Sequence, residues 1–153
     1  MVNLRSNKRK ITTMLVAEKN IFKNIPITLE PSWVVNYLEK DRFTSGHVRV
    51  LRAKANTSDK VLSSILNIAP KTFVSYTKDV SKTKLDTKEH ILMLISLLKH
   101  GSEVFGSEEN FSHWLDSKNV FLDNRKPLEF LNTISGIRMI DDRIVAIEYG
   151  DNV

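Results

Sequence analysis

Between Ile91 and Leu98 the chain carries a single polar residue, Ser96, inside a segment that reads as a helix. Asp86 or Thr87 caps that helix, Glu89 lies in its first turn where the dipole favours a carboxylate, and Gly101 or Gly106 marks its end. At about 3.6 residues per turn, Ile91, Leu92, Met93, Leu94, Ile95, Leu97 and Leu98 occupy nearly the whole circumference. A helix that is apolar all round cannot lie on a surface, so other elements must surround it. The constraint points to an all-α chain, a small bundle built around this helix.

The flanking segments agree. Residues 1–24 are polar, basic and weakly periodic, so either an ordered peripheral arm or a disordered tail is expected. Pro26 and Pro31 bracket an extended piece, and Trp33, Val34, Tyr37 and Leu38 recur at helical spacing until Thr44-Ser45-Gly46 breaks the pattern. Val48, Leu51, Arg52 and Ala55 suggest a further helix. Thr57-Ser58-Asp59 caps another over Lys60 to Leu66, and Pro70 opens one running to about Lys78. Two short helices joined this tightly form a helix-turn-helix pattern. Ser107 can cap a helix through Leu115, Pro127 starts a short turn, and Thr133 caps a last helix. In that helix Ile137, Ile140, Ile144 and Ile147 share one face. Arg138, Asp141, Asp142 and Glu148 fall mainly on the other, and Gly150 is the stop.

Composition excludes several classes. No apolar run approaches the roughly 18 residues of a membrane span, so no membrane partner is expected. The short stretch Ile11 to Ala17, closed by Glu18 and Lys19 without a small-residue cleavage site, is not a signal peptide. With 0 Cys there is no disulfide framework and no thiolate metal site, which suits a cytoplasmic protein. Net charge is +5, unevenly spread: residues 1–100 hold 18 Lys/Arg against 8 Asp/Glu, residues 101–153 hold 5 against 10. A basic front and an acidic back suit two different partners, or are ordinary solvated faces.

The chemistry of catalysis is missing. His47, His90, His100 and His113 have no i, i+4 pairing and no carboxylate at ligand spacing, so they read as surface or half-buried residues, with no metal site. There is no phosphate-cradling glycine loop and no nucleophile elbow. Asp141 and Asp142 point about 100° apart on a helix and read as a solvated face. No enzyme, cofactor or small-molecule substrate is expected. Nucleic acid has more support: Lys71, Thr72, Ser75 and Lys78 form a polar stripe on the second helix of the helix-turn-helix, with Phe73 and Val74 as core anchors. Tyr76 can face either way, and Lys54, Lys60, Lys82 and Lys84 can serve as flanking cations. Many helical hairpins have no nucleic-acid role, so the pattern alone leaves both readings open.

Residues Phe111 to Gly150 hold no converging reactive groups, yet keep a particular punctuation: Trp114-Leu115, Asn119, Leu122, Pro127-Leu128, Leu131, Thr133, Gly136, Ile147 and Gly150. Together with Asp59 to Lys78 and the step Val104-Phe105-Gly106, this order resembles the Xre-like antitoxins of the ParS/MbcA/Xre group, partners of RES-domain toxins, over about ninety residues from Ser58. The usual Gly-Gly of one loop is Asp123-Asn124 here, and both residues tolerate a left-handed backbone. A proline common before the Asn is Lys118, and a capping Ser common at the recognition helix is Ala69, at a cost of about 1 kcal/mol.

The resemblance implies an Xre-type helix-turn-helix bundle followed by a small helical toxin-binding domain. Residues 1–57 are expected to serve self-association, 58–106 to hold the helix-turn-helix and long central helix, and 107–153 to bind toxin. It implies neutralisation of an NAD-consuming RES toxin by a C-terminal plug at its active site, and repression of the chain's own promoter as a homodimer on operator DNA. Lys71, Thr72, Ser75, Tyr76 and Lys78 would then meet DNA. Trp114, Leu128, Leu131, Ile140 and Ile144 are expected in the core, and Pro127, Thr133 and Gly136 as helix punctuation. The exposed contacts would be Asn119, Asp123, Asn124, Arg125 and the acidic tail Tyr149, Gly150, Asp151, Asn152 and Val153. The alternative is a helix-turn-helix regulator without a toxin partner, its C-terminal module serving dimerisation.

Overall fold

In a computed structural model, which describes residues 3–151, the central apolar helix runs Leu85–Phe105 and every residue from His90 to Leu98 is buried. Among the described residues there are eight α-helices and no strand. They are α1 (Leu4–Asn24), α2 (Pro31–Glu39), α3 (Ser45–Lys54), α4 (Asp59–Ile65), α5 (Pro70–Tyr76), α6 (Leu85–Phe105), α7 (Glu108–Leu115) and α8 (Ile134–Glu148). Short 3-10 turns at Val120–Leu122 and Pro127–Phe130 join the last two. Helices α2, α3, α7 and α8 all pack on α6. One apolar cluster runs unbroken from Ile25 to Ile144. Each fully buried Leu or Ile contributes roughly 1.5–3 kcal/mol, so α6 is the largest single source of burial.

Local chemistry sets the helix ends. Ser58, Ser107 and Thr133 accept backbone N–H bonds from Val61, Asn110 and Gly136 at 3.2, 3.0 and 2.9 Å. Ala69 heads α5 without a side-chain cap, as its methyl group dictates. Helix α6 starts earlier than its acidic residues suggest: Lys84 is the capping residue and Asp86 falls inside the first turn, where it accepts from the Thr87 N–H at 2.7 Å. Its end is Gly106, left-handed at φ 83°. Gly101 lies within the helix, where the Phe111 ring rests directly on it. The break after α2 falls before Thr44, which caps α3.

Residues 4–24 form an ordered arm, a 21-residue helix with no buried residue. Its C-terminal end is fixed by Lys99 of α6, whose ammonium donates to the carbonyls of Phe22, Lys23 and Ile25 at 3.1, 3.0 and 2.9 Å. A cation there satisfies orphan carbonyls and complements the dipole. Further along, Glu18 pairs with Arg49 of α3 at 2.6 Å, and Arg49 also donates to the Thr77 carbonyl at the end of α5, at 2.8 Å.

Three of the four histidines are buried, not surface residues. His47 Nδ1 accepts from the Thr44 N–H at 3.0 Å, so Nε2 carries the proton and meets the Tyr37 hydroxyl at 2.8 Å; burial pushes its pKa down to about 4. His90 Nε2 donates to the Leu131 carbonyl at 2.8 Å, and burial likewise lowers its pKa. Both are neutral structural groups.

A Cβ at position 101 would enter the ring of buried Phe111. Gly101→Ala is therefore expected to destabilise the fold by about 2 kcal/mol through overpacking, read from the denaturation midpoint, despite the better helix propensity of alanine.

Candidate functional site

The polar loop after α7 closes on Asn119. Its Oδ1 accepts from the Phe121 N–H at 2.9 Å, its N–H donates to the Arg125 carbonyl at 3.0 Å, and its carbonyl accepts from Leu122 and Asn124 at 3.0 and 2.9 Å. So consumed, Asn119 is buried, 6% exposed, which corrects the expectation of an exposed contact: it is the hub that shapes the loop. Asp123 and Asn124 take the left-handed backbone at φ 54° and 58°, as the replacement of two glycines requires. Both are exposed, as is Arg125, whose guanidinium lies 4.2 Å from the centroid of the Phe130 ring.

Two residues not singled out from the sequence dominate this loop. Val120 is 71% and Phe121 50% exposed, a pair of large apolar side chains presented by the 3-10 turn. The available signal was their position, apolar in an otherwise polar segment between Asn119 and Asp123. Beneath them lies Arg143 of α8, 12% exposed, with its guanidinium 3.9 Å from the Phe121 ring centroid and its Nη1 2.7 Å from Asp151 Oδ2. One cation thus joins the loop to the tail, and no sequence pattern links residues so far apart. Tyr149 is exposed and Gly150 left-handed at φ 98°. Asn152 and Val153 lie outside the described residues.

The frame behind this surface is rigid. Trp114, Leu131, Ile140 and Ile144 are buried, Leu128 is partly buried against them, and Phe105, Phe111 and Trp114 form an aromatic cluster with centroids 5.1 to 5.9 Å apart. Asp141 and Glu148 do not face solvent alone: they clamp His100 of α6, Asp141 Oδ1 to Nδ1 at 2.7 Å and Glu148 Oε2 to Nε2 at 3.2 Å. With a carboxylate at each ring nitrogen, the hydrogen bond to Asp141, aided by Glu148, raises the His100 pKa against desolvation. Asp142 remains exposed. Among the described residues no group of three or more His, Asp or Glu side chains is arranged to hold a metal ion.

A second surface lies on α5. Lys71, Ser75 and Lys78 are exposed along one stripe, with Thr72 and Tyr76 half-buried at its margins. Phe73 is fully buried and anchors the helix; Val74 is 37% exposed and so is not the core anchor its sequence suggests, and Lys78 lies in the turn just past the end of α5. Lys60, Lys82 and Lys84 are exposed. Lys54 is not a free flanking cation, because Glu108 holds it at 2.7 Å over the Phe22 ring.

Residues 100–150, the segment carrying the loop, the His100 clamp and the start of the tail, match the family described as the antitoxin Xre/MbcA/ParS C-terminal toxin-binding domain. The chain carries an Xre/MbcA/ParS-type antitoxin domain. Comparison with curated proteins gave no match. The antitoxin domain implies a toxin as partner. No described helix is long and apolar enough to cross a membrane.

The clamp makes the attachment of this antitoxin domain to α6 pH-dependent. A histidine whose folded pKa lies above the ordinary 6.5 stabilises fully below that value and loses its contribution as pH rises through the raised one. His47 and His90, both lowered, act in the opposite direction and below 6.5. The stability difference between the parent and His100→Gln is therefore expected to be constant below about pH 6 and to shrink on the alkaline side, as thermal denaturation across pH 5 to 9 would show.

Proposed function

We propose that this chain neutralises a RES-domain, NAD-consuming toxin by covering its NAD site, and that as a homodimer it represses its own promoter. The observation that carries the first half is the toxin-binding family match over the residues that build the loop-and-tail surface. In this reading Val120 and Phe121 are the apolar centre of the interface and Asp123, Asn124 and Arg125 its polar rim, the usual anatomy of a specific contact. Asn119 shapes the loop without touching the partner. The tail from Tyr149 to Val153, with Asp151, approaches a pocket made cationic for the phosphates of NAD. The chain itself is catalytically inert, and the chemistry belongs to the toxin.

The second half rests on α4 and α5, read as a helix-turn-helix with α5 entering the major groove. Lys71, Thr72, Ser75, Tyr76 and Lys78 meet bases and phosphates, and Lys60, Lys82 and Lys84 add phosphate contacts. The three functional regions are then 1–57 for self-association, 58–106 for DNA and 107–153 for toxin. Their separation makes the two activities independently removable.

Co-expression with the RES-domain product of a neighbouring reading frame should relieve its toxicity and yield a co-purifying complex. A chain that does neither is no antitoxin for that toxin, and the reading of a lone regulator takes its place. Phe121→Ala is expected to weaken the complex by about 2 kcal/mol, the loss typical of a central aromatic anchor, measured by calorimetric titration. Deleting Tyr149 to Val153 should weaken neutralisation; unchanged rescue would put the active-site contact elsewhere. The double change Lys71→Glu, Lys78→Glu should abolish promoter binding in a gel-shift assay while leaving neutralisation intact.

A further inference from the structure

A cavity of about 220 Å³ lies between α3, α4, α6 and the antitoxin domain. Its deep wall is made by Leu51 of α3, Leu62 and Ile65 of α4, Leu94 and Leu98 of α6, and Leu131, each more than nine-tenths buried. The Leu131 carbonyl is already taken by His90 at 2.8 Å. A buried water needs two to four polar partners, and the side chains of this wall offer none. The polar lining residues are Asn56, Thr57, Ser112 and Asp116. Asn56 and Asp116 are exposed and the other two half-buried, so these four form the mouth.

Size and charge define what fits. A volume of about 220 Å³ corresponds to a sphere roughly 7.5 Å across, too narrow for a partner's helix, which measures about 10 Å with its side chains. In another protein an apolar cavity of about 150 Å³ admits benzene, so this one has room for a somewhat larger ring system. No charge is offered to an ion: Asp116 is the single charged lining residue, and Lys126 neutralises it at 2.9 Å. An ionised ligand would lose its hydration against the leucine wall without compensation. The mouth does offer one polar contact. The Ser112 hydroxyl donates to the Asn56 carbonyl at 3.4 Å, near the limit of a hydrogen bond, so either group gains from a closer partner.

We infer that this cavity binds one small, uncharged, mainly apolar molecule of one or two fused rings, its single polar group turned toward Ser112 and Asn56. The occupant touches α3 and α4 on one side and the antitoxin domain on the other, and so strengthens the junction between them. A chain that binds such a molecule does so whether or not it neutralises a toxin or represses a promoter.

Indole, neutral and with one N–H, serves as the probe on the full chain alone. Its ring current should shift the methyl NMR signals of Leu62, Leu94, Leu98 and Leu131 saturably, and move those of Ile140 and Ile144 on α8 far less. The denaturation midpoint should rise by about 4 °C at roughly ten times the dissociation constant. Benzoate, of similar size but charged, should bind at least tenfold more weakly, as should indole to Ala55→Leu, whose longer side chain enters the cavity from α3. Val61→Phe fills the same space from α4 should Ala55→Leu fail to fold, and the methyl map of the parent stands without either variant. No saturable shift up to the solubility limit of indole, shifts centred on other methyls, equal affinity for benzoate, or undiminished binding by a folded filled variant overturns the inference.

Discussion

Burial of α6 on all sides is the condition from which the rest of the architecture follows. A helix with Ile91, Leu92, Leu94, Ile95 and Leu97 all near zero exposure needs a neighbour on every face. Helices α2 and α3 cover one part of its surface, α7 and α8 another. The α4–α5 hairpin reaches this helix through α3, and the antitoxin domain packs on it directly. The few polar groups of α6 do the joining. Lys99 holds the end of α1, His90 the turn before α8, and His100 the body of α8.

The helical skeleton was legible because it is written in local chemistry. Caps at Ser58, Ser107 and Thr133, proline at positions 70 and 127, and the left-handed Gly106 each act within a few residues. The tolerance of Asp123 and Asn124 for positive φ was equally local, and the loop keeps its turn without glycine. What escaped a linear reading is what depends on distant partners. The carboxylates of His100 lie 41 and 48 residues away, and Arg143 bridges Phe121 and Asp151 from different elements. Asn119 looked like an exposed contact because nothing in its neighbourhood shows that its own loop would absorb it. Lys54 looked like a spare cation because Glu108 is far along the chain.

The site gains its shape from the same division. Trp114 and the isoleucines of α8 are structural and give the antitoxin domain a stiff base. On that base the loop presents Val120 and Phe121, and Arg143 holds loop and tail in one surface. In the proposed function these apolar side chains are anchors kept in place before the partner arrives, which lowers the ordering cost of association. The His100 clamp lies behind that surface and joins α8 to α6.

The most direct measurement of the central claim is hydrogen exchange of the chain with and without its toxin. Toxin binding should protect the amides of 119–125 and the tail from residue 149 onward, and leave residues 71–78 exchanging as in the free chain. Protection centred on α5 or α1, with the loop and tail unchanged, would contradict it.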